Sequence, residues 1–169
     1  APRALRHRNR AVSVEDFQDL ALLASPEVAR ARCVPLHDLA SDPDARIFRP
    51  GTVSLIVVPR SRDAKPLPNL LLLDQVRRYL DQRRLPTADL VIVGPEYIRV
   101  DVAAEIALRS MDGASVVESA VAQALASFLH PLSGGLDRNG WDFGRRPHPS
   151  DLYALLEAGR LWQLPRHEQ

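Results

Sequence analysis

Between Glu96 and Arg109 apolar and polar residues alternate without a break. Ile98, Val100, Val102, Ala104, Ile106 and Leu108 fall on one side, and Tyr97, Arg99, Asp101, Ala103, Glu105, Ala107 and Arg109 on the other. A period of about two residues predicts a long antiparallel strand with one face buried. After Met111-Asp112-Gly113 the period changes. Val117, Ala120, Val121, Ala124, Leu125, Phe128 and Leu129 recur at helical spacing, and Ser115 with Glu118 has the form of a capping box. Pro131 ends this helix by disfavouring helical geometry at His130. A loop punctuated by Gly134, Gly135, Gly140 and Gly144 follows. A last helix then starts at Ser150, buries Leu152, Leu155 and Leu156, and ends at Gly159.

The upstream pattern is different. Ser13 and Asp16 form a capping-box pair ahead of an apolar face of Phe17, Leu20, Ala21 and Ala24, and Ser25-Pro26 closes that helix. Val28 to Leu36 reads as a strand with Ala29, Ala31 and Cys33 on one face. His37 to Pro50 reads as a variable surface loop, and Thr52 to Val58 as a β-branched strand stopped at Pro59. Asn69 is a natural N-cap for a helix from Leu70 to about Arg84, with Leu72, Leu73, Val76, Tyr79 and Leu80 inward and Asp74 able to pair with Arg77 or Arg78. Leu90 to Val93 makes a short third strand before the break at Gly94-Pro95.

These elements predict an α+β protein made of two small sheet-plus-helix domains. Residues 13–95 form the first, in the order α-β-β-α-β. Residues 96–169 form the second: long strand, helix, Gly/Trp loop, helix. Residues 1–12, rich in arginine and without helical period, read as a linker from an upstream region. A single long strand cannot make a stable sheet. The second domain therefore needs pairing from its own loop, from the first domain or from another subunit.

Composition narrows the function classes. The 169 residues are 46% hydrophobic, and 22 basic against 21 acidic residues leave a formal charge of +1, without the basic excess of a dedicated nucleic-acid or membrane-surface protein. No apolar run reaches the roughly 18 residues of a membrane span. Cys33 is the one cysteine, so no disulfide framework or multi-cysteine metal site can form, and its apolar neighbours mark an inert strand thiol.

Coherent catalytic chemistry is hard to find. His7, His37, His130, His148 and His167 show no metal-ligand spacing. His130 sits at a helix C-terminus, where a protonated imidazole would complement the dipole. Ser133-Gly134-Gly135 follows a helix rather than a strand and lacks the lysine of a phosphate loop. Arg99, Asp101 and Glu105 read as a charge ladder on the outer face of the long strand, or as a charged subunit interface. Trp141 and Phe143, set among glycines in a chain only 5% aromatic, fit either a loop folded onto its own domain or an anchor for a partner. Two other readings carry their own requirements. A small-molecule-binding regulatory module needs a concave pocket with convergent polar groups. An enzyme using His130 with Asp137 needs pocket geometry and a perturbed pKa.

Five blocks, in order, resemble baseplate J-like proteins. They are Arg10 to Phe17, Ala29 to Cys33, Pro50 to Pro59, Val91 to Val100, and Phe128 to Gly135 with Gly140-Trp141-Asp142-Phe143-Gly144-Arg145. That family comprises wedge subunits of contractile-tail baseplates in phages and phage-like injection systems. The resemblance implies a structural protein without catalytic residues, cofactor or metal, assembled in the cytoplasm into a tail or extracellular particle. Its implied partners are other copies of itself, other wedge proteins, sheath and hub proteins, with neither nucleic acid nor membrane insertion. It covers the chain to about Leu156 and suggests the C-terminal part of a longer subunit. Asp142 stands where the family commonly has proline. The interface residues expected on this reading are Arg99, Asp101, Glu105, His130, Gly134, Gly135, Gly140, Trp141, Phe143, Gly144, Arg145 and Arg146, with Trp141 or Trp162 buried in the complex.

Overall fold

The computed structural model describes residues 9–105 and 113–157. It is an α+β protein whose chain divides into two compact units, Ala1–Tyr97 and Ile98–Gln169.

In the first unit Ser13 caps α1 (Val14–Ala24). Its hydroxyl accepts from the Asp16 N–H at 3.2 Å, and the Asp16 carboxylate accepts from the Ser13 N–H at 2.9 Å, so the reciprocal box is complete. Three strands follow in the sheet: β1 (Val28–Pro35), β2 (Thr52–Pro59) and β3 (Asp89–Val93), in the order β1-β2-β3. β1 runs antiparallel to β2, while β3 runs parallel to it, with α2 (Leu70–Asp81) making the crossover. Asn69 caps α2 by accepting from the Leu72 N–H at 2.8 Å. Asp74 pairs with Arg78 at 2.5 Å on the wet side.

Register explains the core. Cys33 stands opposite Leu55, and Leu55 opposite Ile92; Ala31 stands opposite Val57, and Val53 opposite Leu90. One face of the sheet therefore meets Phe17, Leu20 and Ala21 of α1 and Leu72, Val76 and Leu80 of α2 in a single cluster. The cluster extends back to Ala11, which is buried and gives its N–H to Arg83 O at 2.9 Å.

Two local expectations need correction here. A bulge between Val28 and Arg30 shifts the alternation of β1, so Val28 joins Cys33 in the core and Ala29 is only half-buried. Helix α2 stops at Asp81 rather than near Arg84. The N–H groups of Arg83 and Arg84 both turn back onto Leu80 O, and the Arg83 guanidinium covers Tyr79 O at 2.7 Å. The stretch from His37 to Pro50 is a surface loop, as expected, and specific bonds hold it. Ser54, fully buried on the other face of β2, donates to His37 O at 2.8 Å and accepts from the Leu39 N–H at 3.0 Å.

The largest departure lies beyond β3. Residues 96–105, expected to open the long strand, carry no strand or bridge, and 106–109 lie outside the described residues. Backbone N–H and C=O groups of a strand need a second strand alongside. No described segment of the chain provides one, so the only sheet among the described residues is that of the first unit. The second unit is built from α3 (Ala114–Leu129), the glycine loop, and α4 (Pro149–Glu157).

Helix α3 begins at Gly113, whose φ of 86° lets the chain turn into the helix; the box expected from Ser115 and Glu118 does not form, because Ser115 already lies inside it. At its end His130 takes extended geometry before Pro131, as the proline requires. The expected apolar face is the covered one: Val121 and Phe128 are buried, and Val117, Ala120, Ala124, Leu125 and Leu129 half-buried. In α4, Pro149 occupies the first turn and the Asp151 carboxylate accepts from the His148 N–H at 3.0 Å. Leu152, Leu155 and Leu156 are half-buried rather than buried. The expected stop at Gly159 lies outside the described residues.

Candidate functional site

The loop after α3 is a closed knot of backbone bonds. Gly134 N–H reaches His130 O and Gly135 N–H reaches Phe128 O, both at 2.8 Å, which satisfies carbonyls left open at the helix end. Gly140 N–H returns to Gly134 O at 2.8 Å, and Trp141 N–H to Pro131 O at 2.9 Å. Two glycines are obligatory. A Cβ on Gly134 would run into the backbone oxygen of Phe128. One on Gly140 would press on Pro131 O and lie 2.6 Å from the Leu132 carbonyl carbon, at a φ of 75°.

This turn places Trp141 against the helix it follows. The indole N–H donates to Phe128 O at 2.9 Å, and the two rings meet edge to face with centroids 5.3 Å apart. Phe128 is 4% exposed, while Trp141 is half-buried. The Arg145 guanidinium lies 5.5 Å from the centre of the Trp141 ring. The tryptophan therefore packs on its own unit and keeps part of its surface outward.

His130 is tied into the turn that follows α3. Its Nδ1 faces the N–H groups of Leu132 and Ser133, each at 3.3 Å, and the Ser133 hydroxyl at 3.0 Å. A nitrogen that accepts from backbone N–H groups carries no proton. Its Nδ1 is thus engaged with the turn that follows the helix and not with Asp137.

The structure brings His130, Gly134, Gly135, Gly140, Trp141 and Arg145 together. Phe143 is half-buried, Gly144 turns at a φ of 79°, and Arg146 is exposed nearby in the chain. Arg99, Asp101 and Glu105 stand apart on the exposed segment after Tyr97. Arg99 and Asp101 pair at 2.8 Å with side chains 84% and 75% exposed, geometry that carries little stability in water. Tyr97 fixes the start of that segment by donating its hydroxyl to Pro66 O at 2.8 Å, and burial raises its pKa. Trp162 lies outside the described residues.

Sequence reading missed an ordered surface in the first unit. Asp38 accepts from Ala40 N–H at 3.1 Å, Ser41 Oγ at 2.8 Å and Arg49 Nη1 at 2.6 Å, and Asp42 accepts from Ile47 N–H at 2.6 Å. The Ser41 hydroxyl, the backbone donors and Arg49 hold the Asp38 carboxyl below its usual range. This frame presents Ile47 and Phe48, each 62% exposed. Ser54, polar inside a β-branched run, was the available signal. Among the described residues no cluster of His, Cys, Asp and Glu could hold a metal ion, and no helix is long and apolar enough to cross a membrane.

The chain matches no protein-family model and, by sequence, no curated protein. Its fold is similar to that of a chain in a solved structure, the anti-feeding prophage (AFP) baseplate, 6-fold symmetrised. The two superpose with a TM-score of 0.66 at 23% identity over 95% of this chain. The present chain spans 33% of that chain's length. At this identity the likeness shows a shared fold.

Proposed function

We propose that this chain is a structural component of the baseplate of a contractile injection machine, a phage tail or phage-like particle. Within it we assign the chain to the wedge, as a baseplate J-like subunit that assembles around the central hub with other copies of itself and other wedge proteins and links to the sheath. It carries no catalysis on this reading. Assembly takes place in the cytoplasm before the particle acts outside the cell.

The observation that supports this most is the fold shared with the AFP baseplate chain over nearly the whole sequence. Two features of the molecule agree with it. The glycine-braced loop holds a half-exposed tryptophan rigidly, as an interface anchor requires. The apolar side of residues 98–105, with Ile98 69% and Val100 41% exposed, is left open among the described residues, as a surface that meets a partner would be.

Native purification through a tag on the chain, followed by mass spectrometry, tests the reading. Sheath, tube and other baseplate proteins should co-purify in stoichiometric amounts. Recovery of the chain as a lone soluble oligomer, from cells that are producing particles, would refute it.

A further inference from the structure

We propose that residues 99–105 form a strand only between two copies of this chain, by antiparallel pairing about a two-fold axis through Val102. The inference deepens the assembly reading and rests on it for the second copy, but its argument comes from the segment itself.

The segment has the alternation of a half-buried strand and yet no partner strand among the described residues. Arg99 and Asp101 already lie on one side, bonded to each other across one residue, as they would in extended chain. The opposite side shows Ile98, Val100 and Val102 to solvent or half so. A stretch with strand-like alternation, an apolar stripe and no ladder partner among the described residues is a template for another strand.

The charges choose the partner and the register. In an antiparallel pair related by two-fold symmetry, opposed residues have numbers symmetric about the centre. Centring on Val102 sets Arg99 opposite Glu105 of the second copy, twice over. It also sets Val100 opposite Ala104 and Asp101 opposite Ala103, with no like charges facing. Centring on Asp101 opposes that carboxylate to itself, centring on Ala103 opposes Asp101 to Glu105, and centring on Arg99 opposes two guanidinium groups. Centring between two residues would set polar positions against apolar ones. Centring on Val100 pairs Arg99 with Asp101 but carries the ladder back into Tyr97, tied to Pro66 O, and Pro95, which has no N–H. The register at Val102 thus pairs every residue from Arg99 to Glu105 without reaching Tyr97 or Pro95. A two-stranded ribbon is stable only when one face is covered. The half-buried stripe of Val117, Ala120 and Ala124 on α3, in the same unit, offers such cover.

The test is a cysteine placed on the axis. Opposed Cα atoms at such a position lie within disulfide reach. The native Cys33 thiol is buried, with its pKa raised to about 11, so it supplies a silent background. Val102→Cys should give a covalent dimer of the full chain under mild oxidation, in solution and in isolated particles, whereas Val100→Cys should not. Arg99→Glu should lower the Val102→Cys dimer yield roughly tenfold, since both symmetric pairs become repulsive. Adding Glu105→Arg should restore it, and that rescue separates lost pairing from lost folding. Equal cross-linking at 100 and 102, dimers at 100 alone, or no dimer at either would overturn the proposal. So would a disulfide-linked product with a different protein, although the baseplate reading would then stand. A self-linked dimer in cells whose particles lack the chain would instead sink the baseplate reading and leave the strand pairing intact.

Discussion

Replacing Trp141 with alanine should loosen the whole turn after α3, and the size of the effect can be worked from its contacts. The edge-to-face contact with Phe128 contributes about 0.5–1.5 kcal/mol beyond area burial. The indole hydrogen bond to Phe128 O contributes about 0.5–1.5 kcal/mol net. Full truncation of a buried tryptophan costs roughly 3–5 kcal/mol, and Trp141 is only half-buried. A local cost of about 2–4 kcal/mol follows for Trp141→Ala. Trp141→Phe keeps most of the ring contact and leaves Phe128 O bonded to Gly135 N–H, so its cost should be about 0.5–1.5 kcal/mol. Native-state hydrogen exchange with peptide resolution is the suitable assay, because it reads the opening of one segment at a time. Amides of Gly134, Gly135 and Gly140 should exchange roughly 30- to 700-fold faster in Trp141→Ala and no more than roughly tenfold faster in Trp141→Phe. The sheet of the first unit should be unaffected. Equal protection of the loop in Trp141→Ala and the parent chain would refute the claim that the tryptophan holds the turn.

Gly140→Ala should cost more than an ordinary glycine replacement, about 2–4 kcal/mol, because its Cβ meets backbone and not a movable side chain. Gly144→Ala, with open space around its Cβ, should cost about 1 kcal/mol from its φ of 79° alone; urea titration ranks the two. Cys33 should resist iodoacetamide in the folded chain and react on unfolding. Its raised folded pKa makes stability constant below the ordinary thiol range and falling from about pH 9 to about 11, as the unfolded thiol ionises first. Asp38 works in the opposite sense. Its lowered pKa favours the folded loop above the usual carboxylate range, and that contribution should disappear as pH falls below about 4, read as increased proteolysis between 37 and 50. Asp38→Asn should abolish this acid sensitivity at the loop.

The parts of the fold that were legible are those set by neighbours in sequence. Ser13 with Asp16, and Asn69 ahead of Leu72, are caps whose partners sit within four residues, and the apolar spacing of α1, α2 and α3 names the buried side of each helix. What escaped depends on distant groups. The bulge in β1 arises from pairing with β2, and Ser54 is buried because the loop at His37 and Leu39 meets it. Ser115 and Glu118 matched a capping pattern, but Gly113 caps the helix two residues earlier, so the match does not matter. The alternation from Glu96 onward is a property of one strand, whereas a sheet is a property of two. Within the candidate site the glycines and Trp141 were legible from composition. The reason for them, a Cβ-free path between backbone segments from Phe128 to Trp141, is visible only once the turn closes. The acceptor role of His130 was similarly hidden, since it depends on where the N–H groups of Leu132 and Ser133 point.

The central claim is that the chain is a fixed part of a baseplate, and labelling it within an intact particle tests this most directly. Particles carrying a gold-labelled tag on the chain should show label at one end only, beneath the sheath, at the same position before and after contraction is triggered. Label scattered along the sheath, or absent from particles that are otherwise complete, would contradict the account.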